Sequence, residues 1–177
     1  MNNKPAVLGI CAARSNAGKT TLITRLIPEL AQRKIRVSVI KHAHHQFDID
    51  HPGKDSFKIR ESGAVQTLIA SGQRWALMTE MTRVANSTDE ANLNELIEQV
   101  NPDYADLILV EGFKQASIPK IEVYRLSTQH CLLASEDKNI IAVATDEPLE
   151  LHIPVLDLNN ISAIADFIIA KVLLKNY

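Results

Sequence analysis

An apolar segment that leads through a short polar loop into an amphipathic helix is the feature that most constrains this chain. Residues 6–12 carry no charge and include β-branched Val7 and Ile10, which predicts a buried strand. Leucines recur every fourth residue within 20–33, which predicts a helix with one buried face. The loop between them reads ARSNAGKT over residues 13–20. Strand, loop and helix in this order favour a phosphate-binding site at the start of the helix.

The end of this loop matches the Gly-x-x-x-x-Gly-Lys-Ser/Thr pattern of nucleotide-binding proteins. In that pattern backbone N–H groups surround the phosphates, the lysine neutralises their charge, and the next hydroxyl binds Mg²⁺. Ala13 stands where the first glycine belongs, whereas Asn16 belongs to a residue type that tolerates the left-handed conformation. We expect the following residues to bind the nucleotide: Ser15, Asn16, Ala17, Gly18, Lys19, Thr20 and Thr21.

Apolar runs without polar alternation alternate with helix-like segments along the rest of the chain. This pattern predicts an α/β fold with a mostly parallel sheet and helices on both faces. Short strands at 64–70 and 75–80 predict a hairpin, and with the strand at 120–126 they indicate an antiparallel extension. We therefore expect one domain over residues 1–177 with the architecture of a P-loop NTPase sandwich. Further predicted elements are strands at 35–41, 107–110, 140–145 and 154–158, and helices capped by Asp55 or Ser56, by a residue within 86–89, and by Asn160.

Glu111 follows the apolar run 107–110 and precedes Gly112. A P-loop protein needs an acidic group beside the phosphates to orient Mg²⁺ or the attacking water. Ligands of open α/β sheets bind at the carboxyl ends of the strands, where Glu111 is expected to lie. Glu111 is therefore a candidate Mg²⁺ ligand, and the simpler alternative is an acidic residue that only leaves a strand.

A polar loop over residues 42–54 follows the second predicted strand and opens at the same edge of the sheet. Its carboxylates, Asp48 and Asp50, are candidates for a Mg²⁺-bound water, which would make the loop a switch ordered by the γ-phosphate. The loop also contains three histidines, and imidazole is a suitable ligand for Zn²⁺ or Ni²⁺: His44, His45 and His51. A surface of solvated histidines is the third interpretation of this loop.

Asp146 follows the predicted strand 140–145, in a position where base-reading loops lie. Its carboxylate is a candidate acceptor for the edge of guanine. The Asn-Lys-x-Asp guanine signature is absent from the sequence. Spacing alone therefore does not separate GTP from ATP.

Charge and hydropathy exclude two classes of protein. The formal net charge of -2 provides no basic field for nonspecific nucleic-acid binding. No apolar stretch approaches the roughly 20 residues that cross a bilayer, and the N-terminus lacks the pattern of a signal peptide. We expect a cytoplasmic protein that binds neither nucleic acid nor a membrane.

Five motifs follow one another along the chain: SxxGKTTL from Ser15, VIKHxHH from Val39, FDIDxPGKDS from Phe47, RWALMTE from Arg74 and LILVEGFK from Leu107. In this order they resemble the MobB-type molybdopterin-guanine dinucleotide biosynthesis adapter proteins. The resemblance implies a homodimeric P-loop protein that binds GTP with Mg²⁺ and hydrolyses it slowly. It also implies a partner, the molybdenum cofactor guanylyltransferase, which attaches GMP to the molybdopterin cofactor, itself a further candidate partner.

The resemblance also implies roles for individual residues. Asp50 and Glu111 would flank a Mg²⁺ ion that Thr20 also binds. Lys41 and the histidines after it would line the cleft. Lys19, Asp50 and Glu111 would then be the residues that act on the triphosphate.

Two other functions remain open at this stage. One is a small-molecule kinase or ligase on the same fold, although no arginine-rich lid is visible in the sequence. The other is a metallochaperone-type GTPase that delivers Ni²⁺ or Zn²⁺ through its histidine loop.

Overall fold

The computed structural model describes residues 4–43, 47–85, 90–126 and 131–174. The chain divides into two compact units, one formed by residues 1–42 and 92–177 and the other by residues 43–91. The expectation of one domain over 1–177 stays a prediction. No helix within the described ranges is long and apolar enough to cross a membrane.

Eight strands and four α-helices make up the regular structure of the described chain. The strands are β1 (Ala6–Cys11), β2 (Val37–Lys41), β3 (Gln66–Ala70), β4 (Trp75–Thr79), β5 (Leu107–Glu111), β6 (Lys120–Tyr124), β7 (Ile140–Thr145) and β8 (Val155–Asp157). The helices are α1 (Lys19–Gln32), α2 (Asp55–Glu61), α3 (Leu93–Gln99) and α4 (Ile161–Ile168), which continues as a π-helical turn over Ile169–Leu173. Short 3₁₀ turns lie at Met81–Arg83, Pro102–Tyr104 and Leu133–Ser135.

Six strands of the first unit form one sheet in the order β2-β5-β1-β6-β7-β8, and every neighbouring pair is parallel. The strands β2 and β5 lie on one side of β1, and β6, β7 and β8 lie on the other. The order of strand addition therefore changes direction at β1. Open α/β sheets bind their ligands at such a switch point, outside the carboxyl ends of the strands.

Helices cover both faces of this sheet, as the sequence predicts. Alternate residues of β5 point to opposite faces because successive side chains of a strand alternate. Leu107 and Leu109 belong to the core that α1 and α4 form on one face. Ile108 and Val110 belong to a smaller core with α3 on the other face. The predicted α/β sandwich is confirmed.

The strand near residue 120 is not part of an antiparallel extension, contrary to the prediction. Strand β6 is parallel to both β1 and β7 and is buried along its whole length. In the sequence, the polar residues Lys120 and Glu122 alternate with apolar residues, which is typical of a strand with one face exposed to solvent. Both are buried, and each has its own hydrogen-bond partners.

In the second unit, β3 and β4 form the predicted antiparallel hairpin, with Leu68 opposite Leu77 and Ala70 opposite Trp75. Leu68, Trp75 and Leu77 are exposed on one face of this hairpin. Thr67 and Met78 are buried on the other.

Two predicted helix caps are wrong. Helix α2 begins at Asp55, so Lys54 occupies the cap position and no side chain caps the helix. Helix α3 begins at Leu93, and the side chain of Asn92 caps it by accepting a hydrogen bond from the N–H of Asn94. Residues 86–89, the predicted cap, lie outside the described residues. The third cap is confirmed, because the Asn160 side chain accepts from the N–H of Ala163.

Candidate functional site

The phosphate loop joins β1 to α1 and contains two residues in the left-handed region. Asn16 has φ 64° and Gly18 has φ 101°. Gly and Asn adopt the left-handed region at the lowest energetic cost, and Asn16 does adopt it, as expected. Gly18 occupies the cap position of α1, so the helix starts directly at the loop. The first N–H groups of a helix have no partner within it, which makes this end of α1 suited to an anion.

Lys19 is the first residue of α1, and its side chain turns back over the loop. The ammonium donates a hydrogen bond of 3.2 Å to the carbonyl oxygen of Arg14. Ser15 and Thr21 are exposed, and Ala17, within the loop, is buried. The ammonium therefore lies at the solvent-facing side of the loop, where a phosphate group would approach.

Thr20, Glu111 and Lys41 meet at the carboxyl ends of β2 and β5. The Thr20 hydroxyl donates to Glu111 Oε1 at 2.7 Å, and Lys41 Nζ lies 3.4 Å from Glu111 Oε2. Lys41 and Glu111 are register partners, and Glu111 is only 9% exposed. The structure therefore brings together three of the residues that the sequence predicts. Hydroxyl and carboxylate oxygens are the kind of ligand that suits Mg²⁺.

The turn after Glu111 is built around His42. Gly112 has φ 92°, and a Cβ at this position would lie 2.7 Å from the Cβ of His42. Phe113 has φ 45°, and its ring stacks on the His42 ring with 4.6 Å between centroids. The N–H of His42 donates to the carbonyl of Glu111 at 2.9 Å. This packing fixes the backbone on either side of the carboxylate.

Asp146 and Arg125 form an ion pair at the carboxyl ends of β6 and β7. The guanidinium of Arg125 also donates from Nε to the carbonyl oxygen of Ala17 in the phosphate loop, at 3.3 Å. The predicted base-reading residue is thus joined to the loop through an arginine that sequence analysis missed. The available signal was its position, because Arg125 comes directly after a buried strand, as Asp146 does, while Glu111 is the last residue of one.

A cavity of about 370 Å³ lies next to Asp146. It is lined by residues 145–148 after β7 and by residues of β8 and the turn that follows it, up to Asn159. The cavity is at the same edge of the sheet as the phosphate loop, because β1, β7 and β8 are parallel. The side of Asp146 that lines this cavity therefore faces open space.

Glu122 and Cys11 are buried neighbours in β6 and β1, behind the phosphate loop. Burial raises the pKa of Glu122, while hydrogen bonds from the N–H groups of Leu133 and Ala134, both at 2.9 Å, oppose this shift. Burial, together with the nearby Glu122 carboxylate, raises the pKa of the Cys11 thiol to about 12. Cys11 is therefore a packing residue, since a reactive cysteine needs a low pKa.

Asp50 belongs to the second unit, so its predicted contact with Mg²⁺ stays a prediction. Its Oδ1 accepts hydrogen bonds from the N–H of His51 at 2.9 Å and from the Ser56 hydroxyl at 3.1 Å. Its Oδ2 is buried and has no hydrogen-bond partner among the described residues. A buried carboxylate oxygen without a partner is costly. This oxygen is a candidate ligand atom.

The transition-metal site in the histidine loop stays a prediction. His44 and His45 lie outside the described residues. Among the residues that the structure does describe, no group of three or more His, Cys, Asp or Glu side chains is placed to hold a metal ion.

Comparison with known proteins identifies the family. A model of the family MobB, Molybdopterin guanine dinucleotide synthesis protein B, matches residues 7–146. The molybdopterin-guanine dinucleotide biosynthesis adapter protein of Escherichia coli (strain K12) is 47% identical over 161 residues, 89% of each chain. The protein of the same name from Haemophilus influenzae is 46% identical over 168 residues, which are 95% of this chain and 90% of the relative.

A solved structure agrees with this assignment. The crystal structure of molybdopterin-guanine biosynthesis protein B (mobB) is 31% identical to this chain and superposes with a TM-score of 0.70. The match covers 93% of this chain and 98% of that structure. The similarity to MobB proteins in sequence and in fold therefore agrees with the phosphate loop and with the carboxylate at the end of β5. The chain belongs to the MobB family.

Proposed function

We propose that this chain binds GTP with Mg²⁺ and acts as an adapter in molybdopterin-guanine dinucleotide biosynthesis. Its partner would be the molybdenum cofactor guanylyltransferase, with the molybdopterin cofactor as a further candidate. The observation that carries the proposal is the phosphate loop whose Thr20 hydroxyl binds the Glu111 carboxylate. The adapter role is supported by the names of the relatives from Escherichia coli and Haemophilus influenzae.

The nucleotide part of the proposal assigns a role to each side chain of the first unit. The loop N–H groups and Lys19 would bind the phosphate oxygens. Thr20 and Glu111 would bind Mg²⁺, which neutralises phosphate charge when it is present. Lys41 partly balances the Glu111 carboxylate at 3.4 Å. In the second unit, the buried Asp50 Oδ2, which has no hydrogen-bond partner in the described part of the chain, supports a metal-binding role for that residue as well.

Guanine is the base that we assign to the site. A carboxylate can accept hydrogen bonds from the two neighbouring donors on the guanine edge, N1–H and the N2 amino group. Adenine carries no such pair of donors. Asp146 presents its carboxylate beside a cavity of about 370 Å³, which supports this choice.

Intrinsic hydrolysis is expected to be slow. An arginine finger that stabilises the transition state is worth about 10³ to 10⁵ in rate. Arg125 is close to the loop, but its guanidinium binds Asp146 and the Ala17 carbonyl. A protein that turns over slowly keeps its nucleotide-bound state long enough to act on a partner.

The proposal includes a homodimer through the hairpin of the second unit. Leu68, Trp75 and Leu77 expose apolar surface on one face of β3 and β4. A two-stranded sheet is marginal by itself, and contiguous exposed apolar residues mark interaction surfaces. A second copy of the chain would bury both hairpins by symmetry.

Isothermal titration calorimetry with GTP, ATP and Mg²⁺ tests the nucleotide site. We expect stoichiometric binding of GTP and a loss of more than about 100-fold in affinity for Lys19→Ala, because charge-assisted bonds to phosphate disappear. Lys171→Ala is the matched control, since this exposed lysine lies on the last turn of the C-terminal helical segment. Equal GTP affinity for wild type and Lys19→Ala would overturn the site assignment.

The adapter role needs the partner. GTP hydrolysis and the yield of molybdopterin-guanine dinucleotide are measured with the guanylyltransferase in the presence and absence of this protein. We expect the yield to rise with wild type and to fall back with Lys19→Ala. Phosphate transfer to a small-molecule acceptor without the guanylyltransferase would instead identify a kinase or ligase.

A further inference from the structure

Arg125 is the side chain that joins two parts of the nucleotide site that are distant in sequence. Its position follows from the register of the sheet. Tyr124 of β6 pairs with Thr145 of β7, so the next residues, Arg125 and Asp146, leave the sheet side by side. Strand β6 also pairs with β1, which leads into the phosphate loop.

The guanidinium of Arg125 reaches the loop as well as the carboxylate. Its Nη1 binds Asp146 Oδ2, while its Nε donates to the Ala17 carbonyl at 3.3 Å. A Cβ built on Gly18 would stand 3.5 Å from Arg125 Nη2, so the planar group also packs against the start of α1. The loop carbonyl and the carboxylate therefore share one rigid group. Arginine suits this task because its donors form a fixed planar fork, which lysine lacks.

We infer that Arg125 is a positioning residue that sets the Asp146 carboxylate for base recognition and couples it to the phosphate loop. This inference rests on the proposed function, because it requires a nucleotide on the loop and a guanine at Asp146. Each carboxylate oxygen has two acceptor sites, so Asp146 can hold Arg125 and still accept from the base. Arg125 thus acts through Asp146 and through the loop, without touching the base itself.

The consequence is a selective loss of base discrimination when Arg125 is replaced. GTP carries an exocyclic N2 amino group that ITP lacks. The positioned Asp146 carboxylate would accept a hydrogen bond from this group. Without Arg125, Asp146 is free to rotate, and the contribution of this amino group to affinity is lost. A purely structural role would weaken GTP and ITP binding by the same factor.

Calorimetric affinities for GTP and ITP with Mg²⁺ test the inference on wild type, Arg125→Ala, Arg125→Lys and Asp146→Asn. We expect the ratio of GTP to ITP affinity to fall about tenfold in Arg125→Ala, because this is the effect of losing one hydrogen bond to a charged group. The ratio should fall less in Arg125→Lys, which keeps the charge. The double variant Arg125→Ala with Asp146→Asn should show no further fall beyond Asp146→Asn alone, since the two residues act as one unit.

Arg36→Ala is the matched control, because Arg36 also pairs with an aspartate, Asp106, but lies at the amino end of β2. An unchanged GTP to ITP ratio in both Arg125 variants, with or without an equal loss for the two nucleotides, would overturn the inference but not the proposed GTP binding by the wild type. Absence of GTP binding by wild type would overturn the proposed function and the inference with it. If only Arg125→Lys folds, a lowered ratio in that variant supports the inference, and an unchanged ratio contradicts it.

Discussion

Arg36 and Asp106 join the amino-terminal ends of β2 and β5. The Asp106 carboxylate accepts from the Arg36 backbone N–H at 2.8 Å, from Nε at 3.0 Å and from Nη2 at 2.7 Å. The pair fastens the two strands whose other ends hold Lys41 and Glu111.

This pair predicts a pH-dependent stability. The side-chain hydrogen bond from Arg36 is the main cause that holds the pKa of Asp106 below its ordinary value of 3.8, whereas partial burial opposes the shift. A carboxylate with a lowered pKa in the folded state stabilises it above the unfolded pKa, and this contribution is lost as the pH falls through the folded pKa. Asp106→Asn should cost about 1 kcal/mol or less at neutral pH, because the pair is partly exposed.

Urea denaturation of wild type and Asp106→Asn from about pH 7 to pH 3 measures this difference. The gap between the two midpoints should close below pH 3.8. A gap that stays constant over the whole range would mean that the ionised carboxylate does not contribute.

Glu111→Gln should weaken the Mg²⁺ dependence of nucleotide binding. The amide keeps the size of the side chain, but it removes the charge that Thr20 and Lys41 now face. We expect the gain in GTP affinity on adding Mg²⁺ to fall by about tenfold or more. Titrations with Mg²⁺ and with EDTA measure it, with Glu98→Gln on the exposed side of α3 as the control. The same Mg²⁺ gain in Glu111→Gln and wild type would remove Glu111 from the metal site.

Gly112→Ala should destabilise the turn that carries Glu111. The new Cβ would meet His42 at 2.7 Å, in a conformation with φ 92° that favours glycine. We expect a loss of about 2 kcal/mol in the free energy of unfolding, measured by urea denaturation. Gly72→Ala is the control, since no described atom lies within 4 Å of a Cβ placed on Gly72. Equal stability of the two variants would show that the turn relaxes freely.

Leu68→Glu should separate the proposed dimer into monomers. Two symmetry-related carboxylates would be buried at the hairpin interface, where charge without a partner is costly. Sedimentation velocity measures the change, and Leu174→Glu is the control because Leu174 is an exposed leucine outside the hairpin. A wild type that sediments as a monomer, or a Leu68→Glu variant that stays dimeric, would contradict the assigned interface.

The residues that could be predicted from the sequence are those whose neighbours along the chain reveal their position. The loop before Lys19 and the carboxylate of Glu111 each come directly after a run of apolar residues, and parallel strands bring such ends to one edge of the sheet. The burial of β5 on both faces was predictable because residues 107–110 are all apolar.

The place of strand β6 in the parallel sheet was harder to predict because its charged side chains are buried. Lys120 is buried, and its ammonium donates to the carbonyls of Lys114 and Ala116 and pairs with Asp137 at 2.6 Å. None of these contacts follows from a local pattern. Arg125 was missed because its contact with Asp146 depends on the register of β6 with β7. Such contacts require the three-dimensional arrangement of the sheet.

The central place of β1 in the parallel sheet also affects how the protein is made. During translation this apolar strand leaves the ribosome before both of its neighbours in the sheet, which are Leu107–Glu111 on one side and Lys120–Tyr124 on the other. The nascent chain must therefore keep β1 unpaired until both segments have been synthesised. We expect ribosome-bound chains that end before residue 107 to be unable to assemble the phosphate loop, and their apolar first strand to be what a chaperone binds.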